Sequence, residues 1–331
     1  MTIDRFRIRF FIPALIASVC STSVLSADAQ GIRYSERADV KTFIAEMKEK
    51  HDFPESWLIR QFDEADFKPS VIKFILPPAD PKVRSWKTYR SRFVEPKRIA
   101  AGRAFWHTHA ATVKRASEQF GVPEEIIVAI IGVETIYGKH MGHFETFSAL
   151  TTLAFDYPPR AALFRSQLEE LLLLAREEGR NPRAYSGSFA GALGLPQFLP
   201  GSIRRYAVNF DGDDKVNLDT PGDAIGSVAS FLAAHGWVPG GPIVAKALVD
   251  DTAAAPLIAQ GIKPQKLPSE MVGVLTRPDA PQEAAALIDL VTPNQATEYW
   301  LGYQNFYVIT RYNRSSFYAM AVHDLAQALK Q

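Results

Sequence analysis

The chain has 331 residues, 47% hydrophobic and 22% charged, the composition of a folded protein long enough for more than one domain. Its 37 basic residues balance 36 acidic ones to a formal net charge of +1, which argues against nucleic acid as a partner. The single cysteine is Cys20, so disulfides and thiol chemistry are unavailable once the N-terminal leader described next is removed.

Arg5, Arg7 and Arg9 form a basic stretch, and Phe10 to Val19 an apolar run too short to span a bilayer. Ala27-Asp28-Ala29 follows. The pattern predicts a secretory signal peptide over residues 1–29, hence a periplasmic protein; the alternative is a buried N-terminal helix. Lipid anchoring in the outer membrane through Cys20 is disfavoured, because Val19 stands where a small residue is expected.

Residues 30–120 read as a helical region, with apolar residues at helical spacing over Val40–His51 and Arg98–Phe120 and a break at Pro77, Pro78 and Pro81. Gly121-Val122-Pro123-Glu124-Glu125 is a helix start, with proline suited to the first turn and acids complementing the dipole. The helix runs on through Ile126–Ile131 and stops near Gly138; being apolar on nearly every face, it is expected to be central and buried. Further helices are expected over Arg160–Glu178 and Pro221–His235, within a core spanning 121–237. From 238 to 291, Pro, Gly and short β-branched runs predict a small, partly β insertion. The segment 292–331 carries the aromatic stretch Asn305–Asn313 and a last helix capped by Ser315. The fold class is mainly α, with an α+β element.

Glu134 is the leading catalytic candidate. Ile127, Ile130, Ile131 and Glu134 stand at i, i+3, i+4 and i+7, on one helix face. A carboxylate on an apolar stripe is desolvated, which raises its pKa, and the negative end of the helix dipole acts in the same direction. A carboxyl group held neutral near pH 7 suits general acid catalysis. The competing reading is a structural ion pair with a buried arginine. Glu145 and Asp156 lie near in sequence as alternative second carboxylates. No HExxH pattern or cysteine supports a zinc site among His107, His109, His140, His143 and His235.

The segment Ile130–Gly138 resembles the catalytic segment of the lytic murein transglycosylase B family. Phe147–Ala154, Asp156–Arg160, Ser188–Pro200, Asp223–Ser227, His235–Trp237, Asn305–Asn313 and Phe317–Val322 continue the resemblance in order, covering the chain from about Tyr89 onward. The resemblance implies a lysozyme-like core with a helical N-terminal region and a small β subdomain, the C-terminal segment completing the cleft. It implies cleavage of the β-1,4 bond between N-acetylmuramic acid and N-acetylglucosamine with formation of 1,6-anhydromuramoyl ends, Glu134 being the acid/base. Tyr89, Arg160, Ser188, Gln197, Tyr312, Asn313 and Tyr318 fall on the family's substrate-cleft positions. Core packing of the tyrosines and a surface role for Arg160 are the plain alternatives. Peptidoglycan glycan strands are the implied partner, and cell-wall synthesis proteins are a further candidate class. A water-using muramidase and a catalytically silent peptidoglycan-binding protein are the competing functions.

Asn209-Phe210-Asp211-Gly212-Asp213-Asp214-Lys215 opens like a calcium loop, although Asp214 stands where glycine is usual and Thr220 where a glutamate is. Family members close such a loop with a later acid, matching Asp223. The expected ligands are Asn209, Asp211, Asp213, the Lys215 carbonyl and Asp223, for a structural calcium with no part in the chemistry; a solvated acidic turn is the alternative.

Overall fold

The computed structural model describes residues 33–76 and 84–331. The leader, Cys20 and the proline break at Pro77, Pro78 and Pro81 lie outside them. Among the described residues no helix is long and apolar enough to cross a membrane.

The helical region comprises α1 (Ala38–His51), α2 (Glu55–Asp63), α3 (Pro69–Ile75), α4 (Trp86–Phe93), α5 (Pro96–Thr108) and α6 (Ala110–Phe120). The expected helix over Arg98–Phe120 is thus two helices, meeting at His109, whose backbone leaves the helical region at φ −110°, ψ 22°. No proline or glycine marks that break; the His109 ring instead packs on Phe105, centroids 4.6 Å apart.

Gly121, at φ +71°, ends α6 and hands the chain to α7 (Glu124–Thr135), where every residue from Ile126 to Val133 is buried. Each fully buried Ile or Val contributes roughly 1.5–3 kcal/mol. That outweighs the few tenths of a kcal/mol by which β-branching disfavours a helix, so an isoleucine-rich stretch holds helical form at the centre of the molecule. Helices α5 and α6 pack around it, as do two helices from later in the chain.

After α7 come β1 (Phe144–Glu145), α8 (Thr146–Asp156), α9 (Ala161–Glu177), β2 (Ser186–Gly187), α10 (Pro200–Tyr206) and α11 (Pro221–Ala234). Strands β1 and β2 pair antiparallel, Phe144 with Gly187 and Glu145 with Ser186. The approach is close enough that a Cβ on Gly142 would lie 2.1 Å from the Gly187 carbonyl. This short ladder holds the loop after α7 against the loop that carries Ser188.

The expected β insertion contains β3 (Val244–Val249), α12 (Asp251–Ile258), β4 (Val274–Thr276) and β5 (Ala286–Leu290). Its sheet is antiparallel in the order β4-β3-β6-β5, and β6 (Glu298–Gly302) follows residue 291. The strand that joins the two halves of the sheet therefore comes from the C-terminal segment and leads directly into α13 (Gln304–Tyr312) and α14 (Ser316–Lys330). Ser315 caps α14, its hydroxyl accepting from the Tyr318 amide, and α14 and α11 are the later helices that pack on α7.

Candidate active site

Glu134 occupies the last turn of α7 and keeps part of its surface open. The backbone beyond it is unusual: Ile136, Tyr137 and Gly138 all have positive φ, at 51°, 58° and 88°. A β-branched residue there is strained by about 1–3 kcal/mol, so the surroundings must enforce the conformation. Thr135 does part of this, its buried hydroxyl donating to the Leu195 carbonyl at 3.0 Å and accepting from the Gly138 amide at 3.0 Å. Tyr137 does more: its ring fills a notch where a Cβ on Gly102 or Gly132 would lie 2.2 or 2.4 Å from its hydroxyl. Arg98 completes the clamp. Its buried guanidinium donates to the Gly132 carbonyl at 2.5 Å and to the Arg92 carbonyl, at the end of α4, at 3.1 Å.

The Tyr318 hydroxyl, on buried α14, donates to Glu134 Oε1 at 2.6 Å. Burial pushes the Glu134 carboxyl up to about 7, partly opposed by the Tyr318 bond, which favours the ionised form. The arginine ion pair considered from sequence does not occur: no cation pairs with Glu134 among the described residues.

Two more tyrosines feel the same charge. Tyr312, at the end of α13, is stacked on Tyr318 with centroids 6.4 Å apart, and its hydroxyl donates to the Pro196 carbonyl at 2.6 Å. Burial and then the Glu134 charge raise its pKa well above that of free tyrosine. Tyr89, on α4, is pushed up to about 12 by the same two causes in the same order. All three phenols are therefore neutral donors at any physiological pH.

The Leu195–Gln197 segment lies against this cluster through the bonds to Thr135 and Tyr312. Gln197 is a non-glycine residue at φ 52°. Its Nε2 donates to the Met141 and Gly194 carbonyls at 3.1 and 2.9 Å. Two carbonyl partners fix which end of the amide is nitrogen, and Oε1 remains as an acceptor for a ligand. Ser188 sits in the same loop, its hydroxyl accepting from the Ala192 amide at 3.0 Å. Glu134, Tyr89, Tyr312, Tyr318 and Gln197 are thus brought together, with Ser188 on the adjoining loop.

The remaining cleft candidates stand apart in their contacts. Arg160 is exposed and its guanidinium lies over the Phe164 ring at 5.2 Å. Asn313 is exposed, its carbonyl accepting from the Ser315 amide at 2.7 Å. Both carboxylates suggested by sequence proximity have structural partners. Asp156 bonds Arg37 at 2.6 Å and the Tyr34 hydroxyl at 2.5 Å, while Glu145 bonds Arg183 at 3.1 Å and Ser148 at 3.2 Å.

The acidic loop is organised around Asp223, which is fully buried. Its Oδ1 accepts from the Phe210 and Asp211 amides at 2.6 and 3.1 Å, and its Oδ2 from the Asn217 amide at 2.6 Å. Asn209, Asp211 and Asp213 likewise fold back, accepting from the amides of Gly212, Asp213 and Lys215. Among the described residues no group of three or more His, Cys, Asp or Glu side chains converges on a point suited to a metal ion. The oxygens suit a hard cation in kind, and the bonds they accept from backbone amides leave further lone pairs on each.

Sequence reasoning missed Arg98, Thr135 and Tyr137, which hold the Glu134 turn. The signal available was the pair Gly102 and Gly132, glycines inside helices, which mark close approach.

The transglycosylase SLT domain family model matches residues 35–327. The chain is 40% identical over 310 residues to membrane-bound lytic murein transglycosylase B of Escherichia coli strain K12, covering 89% of this chain and 84% of that protein. The structure is similar to that of catenated lytic transglycosylase SltB1 from Pseudomonas aeruginosa, with a TM-score of 0.83 and 44% identity over 90% of this chain and 98% of that one. It is also similar to the Escherichia coli lytic transglycosylase Slt35 in complex with calcium, with a TM-score of 0.77 and 40% identity over 88% and 92%.

Proposed function

This chain belongs to the transglycosylase SLT domain family and is a peptidoglycan lytic transglycosylase, and from that premise we propose that Glu134 is its only acid/base. The observation that carries this reading is one carboxyl group with no cation beside it among the described residues, bonded by the Tyr318 hydroxyl, while Asp156 and Glu145 are held by other partners.

Protonated Glu134 gives its proton to the glycosidic oxygen as the C1–O bond breaks and the N-acetylglucosamine end leaves. Glu134, now ionised and steadied by the Tyr318 hydroxyl, takes the proton from the muramoyl C6 hydroxyl. The C6 oxygen attacks C1 and closes the 1,6-anhydro ring, returning Glu134 to its starting form. No water is consumed, whereas hydrolysis by the usual route needs a second carboxylate. A pKa near neutrality lets one group serve both halves. Tyr89, Tyr312 and the Gln197 carbonyl oxygen, with Ser188, line the glycan side; Arg160 and Asn313 reach outlying parts of the strand.

The chain acts in the periplasm, exported by its leader. Calcium takes no step in this chemistry. Asn209, Asp211, Asp213, the Lys215 carbonyl and Asp223 would hold a structural calcium, which would order the same loop that Asp223 already ties to the backbone.

Mass spectrometry of isolated sacculi treated with the mature protein and with Glu134→Gln tests the reading. Anhydro-muropeptides from the unaltered protein alone are expected; reducing-end products would replace the lyase mechanism with hydrolysis, and equal product from Glu134→Gln would remove Glu134 from its role.

A further inference from the structure

A concavity lies apart from the residues gathered around Glu134. It has a volume of about 500 Å³, between α4, α14, β5 and β6, and its lining includes Trp86, Lys87, Arg90, Glu298, Trp300 and Asp324. None of these is a residue assigned to the glycan cleft. We propose that this cavity is a separate site for the peptide stem of peptidoglycan, recognising its ammonium and carboxylate groups. The identity of the stem rests on the function proposed above.

The chemistry of the lining selects the ligand class. Trp300, half-buried, supplies indole surface, with the buried Trp86 ring behind the wall, suited to a short, partly apolar body. Arg90 and Asp324 neutralise one another through an ion pair at 2.5 Å. Lys87 and Glu298 are exposed and have no ion-pair partner among the described residues. A neutral sugar ring has no use for free charges of both signs in one cavity; a zwitterionic peptide end does, the carboxylate meeting Lys87 and the ammonium Glu298.

The site shares its walls with the active site. Trp86 is stacked on Tyr89 with centroids 6.5 Å apart, and Phe317 packs edge-on against both, at 5.5 and 5.7 Å. Tyr89 and Tyr318, the neighbour of Phe317, face Glu134, so α4 and α14 each present one side to the glycan and the other to the stem.

The test uses the Glu134→Gln protein, which holds ligands without turnover, in calorimetric titrations. One probe is an N-acetylated stem tetrapeptide with a free ammonium on its diamino acid and a free terminal carboxylate; the other is a peptide-free N-acetylglucosamine tetramer. Added Lys87→Met or Glu298→Gln is expected to weaken tetrapeptide binding at least tenfold and to leave tetramer binding unchanged. Amidating the peptide's carboxylate is expected to weaken binding to the parent and to have no further effect on Lys87→Met. Tetrapeptide affinity unaltered by either substitution, or no tetrapeptide binding at all, would overturn the proposal. Tetramer binding, and anhydro-product formation by Lys87→Met with Glu134 intact, report separately on the function proposed above.

Discussion

Tyr318 donates a hydrogen bond to Glu134 across 2.6 Å, joining the last turn of α7 to the first turn of α14. The bond favours the ionised carboxylate, against the burial that favours the neutral acid. Its removal leaves burial unopposed. Tyr318→Phe is therefore expected to raise the Glu134 pKa by roughly one unit, since a hydrogen bond to a charged group is worth about 1.5–3 kcal/mol. Because the first step needs the protonated acid, kcat/KM falls as pH rises through about 7; in Tyr318→Phe that falling limb moves to higher pH. Rates of anhydro-product release from pH 5 to 9 measure it, and an unmoved limb would rule out this role for the hydroxyl.

The same pKa makes a stability prediction of definite sign. Glu134 holds its proton more tightly folded, at about 7, than at its ordinary value of 4.5. Between those pH values the folded state binds more protons, so stability falls as pH rises. Glu134→Gln removes this loss together with the activity. Its Tm is expected to exceed that of the unaltered protein by several degrees at pH 8 and to match it near pH 4.5. Calorimetric melts at the two pH values decide the matter.

Asp223 bonds three backbone amides while fully buried. Asp223→Ala leaves three donors without a partner, each worth about 1–3 kcal/mol, and relaxation of the loop recovers part of the loss. A Tm drop of about 5–10 °C is expected. The loop's oxygens predict a higher Tm in calcium than in chelator; equal melting would remove the metal from the loop.

Arg98 ties the Gly132 carbonyl to the end of α4, so it acts through the Glu134 turn and not on the glycan. Arg98→Met is expected to lower kcat about tenfold with little change in KM. A misplacement of the acid by a fraction of an ångström has an effect of this order. A matched loss confined to KM would contradict the positioning role.

Much of this was legible in one stretch of sequence. Ile127, Ile130, Ile131 and Glu134 share a helix face in any α-helix, so an acid at the end of a buried stripe follows from spacing. Its partner does not: Tyr318 lies 184 residues away, and no local pattern tells a tyrosine that bonds a carboxylate from one that packs a core. Asp223 was legible as an acid near an oxygen-rich loop, but its partners are backbone amides, which every sequence offers. The break at His109 was hidden because packing, not a proline or glycine, makes it. Strand β6 was hidden because a five-residue strand beyond residue 291 carries little signal of its own and takes its place in the sheet by pairing with β5 on one side and, some fifty positions earlier, with β3 on the other.

The long reach from Glu134 to Tyr318 also sets an order in time. During synthesis α7 is complete long before α14 exists, and an unfinished chain holds the acid but lacks both the hydroxyl that steadies its anion and the strand β6 that closes the small sheet. A chain cut before residue 318 would hold the acid without its partner, so the last helix of the chain, far from the acid in sequence, is part of the site's make-up.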